Sequence, residues 1–195
     1  MNFKKIVLAA LIFTVWSLLI GYFVPMLEGW ATIMAALTAG IYAGYKTKGG
    51  EGFDNGLMAG FVGGVACGII INTVSSFAGI PMKVATSEFL SPTIELVEGS
   101  FPWASTLALI IIGIIFAGMG GIIGSKQKLG KVFLFFVLFL LFIFYGAIDN
   151  VAWNWGREDW TWNMSVSHVL MNQIDIFVAV VFAAFTTLLA VILFH

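Results

Sequence analysis

The side chains able to do chemistry gather around one segment near the end of the chain. Asp149 and Asn150 close one apolar run, Asn172, Gln173 and Asp175 open the next, and Arg157 and His168 lie between them. Carboxylates beside amides and an imidazole form a vestibule for a cation or a small polar solute, with Arg157 as a partner for the acids. Ionisable groups set against apolar spans are the usual pointers to transport or proton relay. The same residues also read as two interfacial carboxylates in hydrated headgroups, so both readings stand. No enzyme signature accompanies them: the chain has no H-E-x-x-H, no G-x-S-x-G and no C-x-x-C. Gly130-Lys131-Val132 falls short of a phosphate loop, because Ser125 stands where glycine is needed and valine replaces serine or threonine. The only histidines are His168 and His195, and the single cysteine, Cys67, excludes an internal disulfide framework. No catalysis, cofactor or metal is expected, and a net charge of -1 offers no basic footprint for nucleic acid.

The elements that must carry these residues are apolar helices. Of 195 residues, 61% are hydrophobic and 10% charged, and the mean hydropathy is +1.04, whereas ordinary soluble domains carry roughly 25% charge. Against the ~20 residues that cross a ~30 Å hydrocarbon core, the chain divides into six predicted spans, near Ile6 to Val24, Pro25 to Tyr45, Gly56 to Ala78, Trp103 to Gly124, Val132 to Asp149 and Ile174 to Phe194. The expectation is an all-α polytopic protein of one transmembrane domain, residues 1–195, whose partner is the lipid bilayer. The first run, preceded by Lys4 and Lys5, is longer than a signal-peptide core and lacks a small-x-small cleavage site, so it is read as a span. Lys4, Lys5, Lys46, Lys48, Lys126, Lys128 and Lys131 then share one side, leaving Lys83 and Arg157 on the other. Lysine bias in short loops sets orientation, which predicts a multi-pass cell-membrane protein with both termini cytoplasmic.

Small residues give the spans an inside. Gly52, Gly56, Gly60, Gly64 and Gly68 stand four apart, and the register continues through Asn72 and Ser76. A stripe without side chains lets another backbone approach, which is how helices associate in lipid. The second run carries Ala36, Gly40 and Gly44, and the fourth carries Gly113, Ala117 and Gly121 with a further ridge through Gly120 and Gly124. These three runs are expected to form a glycine-packed core, and the Phe- and Leu-rich fifth run, Phe133 to Phe144, to face lipid. A different use of the same glycines would be to expose backbone to a permeating solute. Gly40 to Lys48 and Gly120 to Lys128 share the pattern G-x-x-x-G-x-K-x-K, which reads either as a duplicated hairpin or as the ordinary cytoplasmic end of a tightly packed helix.

The run Gly40-Ile-Tyr-Ala-Gly44-Tyr-Lys-Thr-Lys-Gly49-Gly50, followed by Asp54-Asn-Gly56-Leu-Met-Ala-Gly60-Phe-Val-Gly63-Gly64, resembles a set of small archaeal membrane proteins carrying a domain of unknown function. In these, two glycine-rich helices flank a short Gly-Gly loop. The resemblance implies an archaeal origin and brings no activity or catalytic residues. In size and helix count the chain also looks like the substrate-binding subunits of energy-coupling-factor transporters, although Ala9 and Ala10 are followed four positions later by Phe13 and Thr14 instead of completing that family's Ala-x-x-x-Ala face.

Two outer loops complete the reading. Residues 79–102 hold Glu88, Glu95 and Glu98, and Ser91-Pro92 is a good helix start for a short surface helix. In residues 150–173, Trp153, Trp155, Trp160 and Trp162 would fall on two opposed stripes of a helix, but on one face of a β-hairpin turning at Arg157-Glu158. Cross-strand aromatic pairs contribute about 0.2–1 kcal/mol each, while tryptophan is also the ordinary headgroup anchor, so a hairpin and an anchor are both open. Asn163-Met-Ser165 is a glycosylation sequon on the predicted outer side. Two functions fit: a small transporter or solute-binding membrane subunit, or a non-catalytic accessory subunit in a homo-oligomer or larger membrane complex.

Overall fold

Apolar segments of this length become helices because a helix satisfies every backbone N–H and C=O within itself. The computed structural model describes residues 2–23, 28–47, 50–78, 104–126, 131–153, 164, 167 and 170–194. Among them the chain forms six helices and no strand: α1 (Phe3–Phe23), α2 (Glu28–Gly44), α3 (Glu51–Ala78), α4 (Ala104–Ser125), α5 (Lys131–Trp153) and α6 (Gln173–Phe194). Two stretches are long and apolar enough to cross a membrane, Glu51–Thr73 and Thr106–Ser125; Thr32–Gly44, Leu134–Ala147 and Ile176–Ile192 are shorter apolar stretches among the described residues.

Local chemistry sets several ends. The α2 helix stops at Gly44, where the Thr47 hydroxyl donates to the Gly44 carbonyl at 2.7 Å and Lys46 takes a left-handed φ of 55°. The α3 helix starts at Glu51, a full turn before the apolar run that predicts it at Gly56, because the Gly50 carbonyl accepts from Phe53 N–H at 3.0 Å and Glu51 and Asp54 favour the positive end of the helix dipole. Asn172 precedes α6 at the capping position, its carbonyl accepting from Ile176 N–H at 3.2 Å.

The core is the contact of α4 with α3 and α2. Along the α3–α4 seam, Gly52 meets Gly121, Gly56 meets Ala117 and Gly60 meets Gly113, so a step forward on one helix is a step back on the other. Those two helices are antiparallel. Gly40 meets Ala117 and Gly44 meets Gly121, so α2 runs parallel to α4. The α1 helix packs on α2 and α3, parallel to α3, since Asn2 bonds Asn55 and Thr14 bonds Gly63. The α6 helix packs on α5 and on α2. An aromatic cluster ties these elements: Trp30 stacks on Phe142 at 6.1 Å and meets Tyr145 edge-on at 5.2 Å, while Phe142 contacts Phe182 at 5.7 Å.

The fifth run is not a uniformly outward helix. Leu134, Leu138, Phe142 and Tyr145 on α5 are buried, and only its other face, with Phe136, Leu140 and Phe144, is exposed. A helix apolar all round carries no polar side to orient it, and here packing on α6 and Trp30 decides.

Candidate functional site

The glycine positions form a seam with no room for a side chain. A Cβ on Gly60 would overlap the Gly113 carbonyl oxygen, one on Gly56 the Ala117 carbonyl oxygen, and one on Gly64 would lie 2.8 Å from Ile110 Cα. At Gly52 the neighbours are the Gly121 oxygen and Ser125 Cβ, each at 2.6 Å. At Gly68 the neighbour is the Thr106 side chain. Gly40 and Gly44 close in the same way on the carbonyls of Ala117 and Gly121, while Gly120 and Gly124 admit the backbone of Leu37 and Ile41. So Gly113 serves α3, Gly120 and Gly124 serve α2, and Ala117 and Gly121 meet both helices. Backbone covers these stripes, joined by the side chains of Ser125 at Gly52 and Thr106 at Gly68, which among the described residues leaves no passage for a solute along them.

Several polar side chains inside the bundle have local acceptors, while the buried Ser17 Oγ, Thr38 Oγ1 and Asn55 Nδ2 have no partner among the described residues. Asn72 Nδ2 donates to Gly68 O at 2.9 Å and to Thr106 Oγ1 at 2.8 Å, joining α3 to α4 at one end of the seam. Thr14 Oγ1 donates to Ala10 O at 2.9 Å and reaches Gly63 O at 3.3 Å. At the other end the fully buried Asn55 accepts from Asn2 N–H at 3.3 Å, and Lys5 Nζ donates to the Tyr45 carbonyl. Lys46 lies over the Tyr45 ring at 5.0 Å. Sequence reasoning missed Asn55 and Lys5 as partners between elements. Their signal was slight: a polar residue one position before a ladder glycine, and a lysine at a helix start.

Of the vestibule residues, Asp149 and Asn150 belong to the last turns of α5, Gln173 and Asp175 to the first turn of α6, and Asn172 is the half-buried residue before it. Arg157 and His168 lie outside the described residues, as do Trp155, Trp160, Trp162 and Asn163. Trp153 is the last residue of α5, in helical backbone rather than in a strand. The loop 79–102 with its expected surface helix lies outside the described residues. Among the described residues no group of His, Cys, Asp and Glu could hold a metal. Cys67 is buried.

A groove of about 610 Å³ opens between α1 and α3. Its floor is Ala10 and Thr14, Val7 and Leu11 form one wall, and Val62, Ala66 and Ile70 form the other. Phe3 and Lys4 stand at its end.

Fold and packing together define an all-helical protein held by backbone-to-backbone contact between glycine-rich helices, two of them able to cross a membrane by length and composition. Residues 3–126 match the family of unknown function DUF5518, and the chain belongs to that family. The match spans α1 to α4 with their glycine seams and the groove, and ends before α5 and α6. No curated protein and no solved structure matches the chain.

Proposed function

We propose that the chain is a six-span cell-membrane protein with both termini cytoplasmic, and that it acts as a small transporter or solute-binding subunit whose polar mouth lies at the outer ends of α5 and α6. A register observation carries this reading. Phe142 and Phe182 are in ring contact at 5.7 Å, Asp149 follows Phe142 by seven residues, and Asp175 precedes Phe182 by seven. Seven residues are two turns with a drift of only about 20°. If consecutive spans run antiparallel, the two acidic positions are level with each other, on the helix faces that meet. Two carboxylates at one level suit a cation or a cationic solute. Because the glycine seams are filled, the mouth and not the bundle axis is the place for a ligand. These positions lie beyond residues 3–126, the stretch that matches the family.

The test is thermal unfolding of the detergent-purified chain against sodium, potassium, magnesium and calcium ions. At least one cation is expected to raise the melting temperature, and the Asp149→Asn, Asp175→Asn double variant is expected to lose that rise while expressing normally. A flat response, or one the double variant retains, removes the reading. The second reading, an accessory subunit, is favoured by Phe136, Leu140 and Phe144, which repeat every four residues on the exposed face of α5. A partner co-purifying at fixed stoichiometry, lost on Leu140→Lys, would establish it.

A further inference from the structure

The groove between α1 and α3 has features the proposed mouth does not use. Its walls are aliphatic, and its one hydroxyl, on Thr14, is already bonded to Ala10 and Gly63 within the protein. The floor is sealed, because Gly63 abuts the Ala10 carbonyl and the fully buried Phe13 ring. An occupant therefore enters from the side and must itself be apolar over this length. Along α1 the lining runs over the twelve residues from Phe3 to Thr14, eleven rises or about 16 Å at 1.5 Å per residue, close to half of a ~30 Å hydrocarbon core. That is the depth of one leaflet.

Among the described residues that line the groove, Lys4 is the one cation. Lys4 lines the groove and is exposed, with no bonded partner among the described residues, whereas Lys5 is engaged with the Tyr45 carbonyl. A slender apolar chain one leaflet long with an anion at its head is the chemistry of a phospholipid. We propose that this groove binds one acyl chain of an anionic phospholipid from the leaflet on the lysine side, with the lipid phosphate at Lys4. A partner helix or a second copy of the chain would use the apolar walls and leave Lys4 without a counter-charge. The groove lies within the stretch that matches the family, so the site is independent of the α5–α6 mouth. It rests only on the part of the proposed function that embeds the chain in a bilayer.

Native mass spectrometry of the full chain released from detergent, with phosphatidylglycerol or phosphatidylcholine of equal chain length added, tests the site. The chain is expected to retain one phosphatidylglycerol in preference to phosphatidylcholine. Lys4→Gln is expected to reduce that preference about fivefold, since one lysine near an anionic surface is worth about 1 kcal/mol. Lys46→Gln, which removes an exposed lysine outside the groove, is expected to leave it unchanged. Ala66→Phe fills the groove and is expected to lower occupancy by both lipids. Equal occupancy by the two lipids, an equal effect of the two lysine variants, or a lipid-free dimer in place of the lipid-bound monomer overturns the site. Recovery of the chain in the aqueous fraction without detergent overturns the membrane reading as well, so the two failures are distinguishable.

Discussion

A methyl group on Gly60 would have to share the space of the Gly113 carbonyl oxygen, and the obstacle is backbone, which has no rotamer to escape into. The Gly60→Ala variant gains up to about 1 kcal/mol of helix propensity. It must also part α3 from α4 along a seam whose neighbouring rungs are equally tight, and overpacking of this kind costs about 1–3 kcal/mol. The overlap wins, so Gly60→Ala is expected to be net destabilised by about 1–2 kcal/mol in denaturant unfolding in micelles. Gly50→Ala supplies the control. That residue precedes α3 with nothing within 4 Å of an added Cβ, and its change is expected to stay within about 0.5 kcal/mol. Equal losses at the two positions would show that glycine flexibility, and not close approach, is what the chain needs. The polar rung at the end of the seam follows from the same closeness: Gly68 has no side chain, so the Thr106 side chain sits against it and receives Asn72.

At the scale of elements, apolar length was the legible signal. The six apolar runs and the six described helices share their positions to within a few residues at most ends, because a backbone removed from water has few ways to bond itself. The largest departures are the start of α3 at Glu51, where polar residues join the helix through capping and dipole terms that a hydropathy window does not weigh, and the end of α5, which runs past Asp149 and Asn150 to Trp153. Glycine spacing marks a bare face, and in the structure that face meets α4. What could not be read was the orientation of α5, whose Phe133 to Phe144 segment is apolar on every side. Nor could the α1–α3 groove be read, since it arises from how two helices sit side by side and not from any residue pattern in either. The inner face of α5 can be tested directly. Leu138 is fully buried and Leu140 is 62% exposed, so Leu138→Ala is expected to cost about 2–4 kcal/mol through the cavity it leaves, and Leu140→Ala less than about 0.5 kcal/mol. Equal, small costs at both sites in micelle unfolding would detach α5 from the bundle.

For the whole molecule the question is which ends of the helices share a side of the bilayer. The contacts fix relative directions without any appeal to a membrane: α2 and α4 run together, α3 against α4, and α1 with α3. Alternation of this kind is what four consecutive spans require. It brings Lys4, Lys5 and Lys46 to the same end of the bundle as Lys126, since Lys5 bonds Tyr45 and Gly52 meets Gly121. Positive charge of short loops is retained in the cytoplasm, so the proposed topology makes this the inner end and puts the link from α3 to α4 outside. Single cysteines report this cleanly, because the native Cys67 is fully buried. Gly50→Cys, placed in open space before α3, is expected to react with a membrane-impermeant maleimide only after cells are permeabilised, and Ser91→Cys, between α3 and α4, in intact cells. Labelling of both from the same side would mean that α3 does not cross the bilayer, and the outer mouth at Asp149 and Asp175 would lose its place along with the leaflet assigned to the lipid at Lys4.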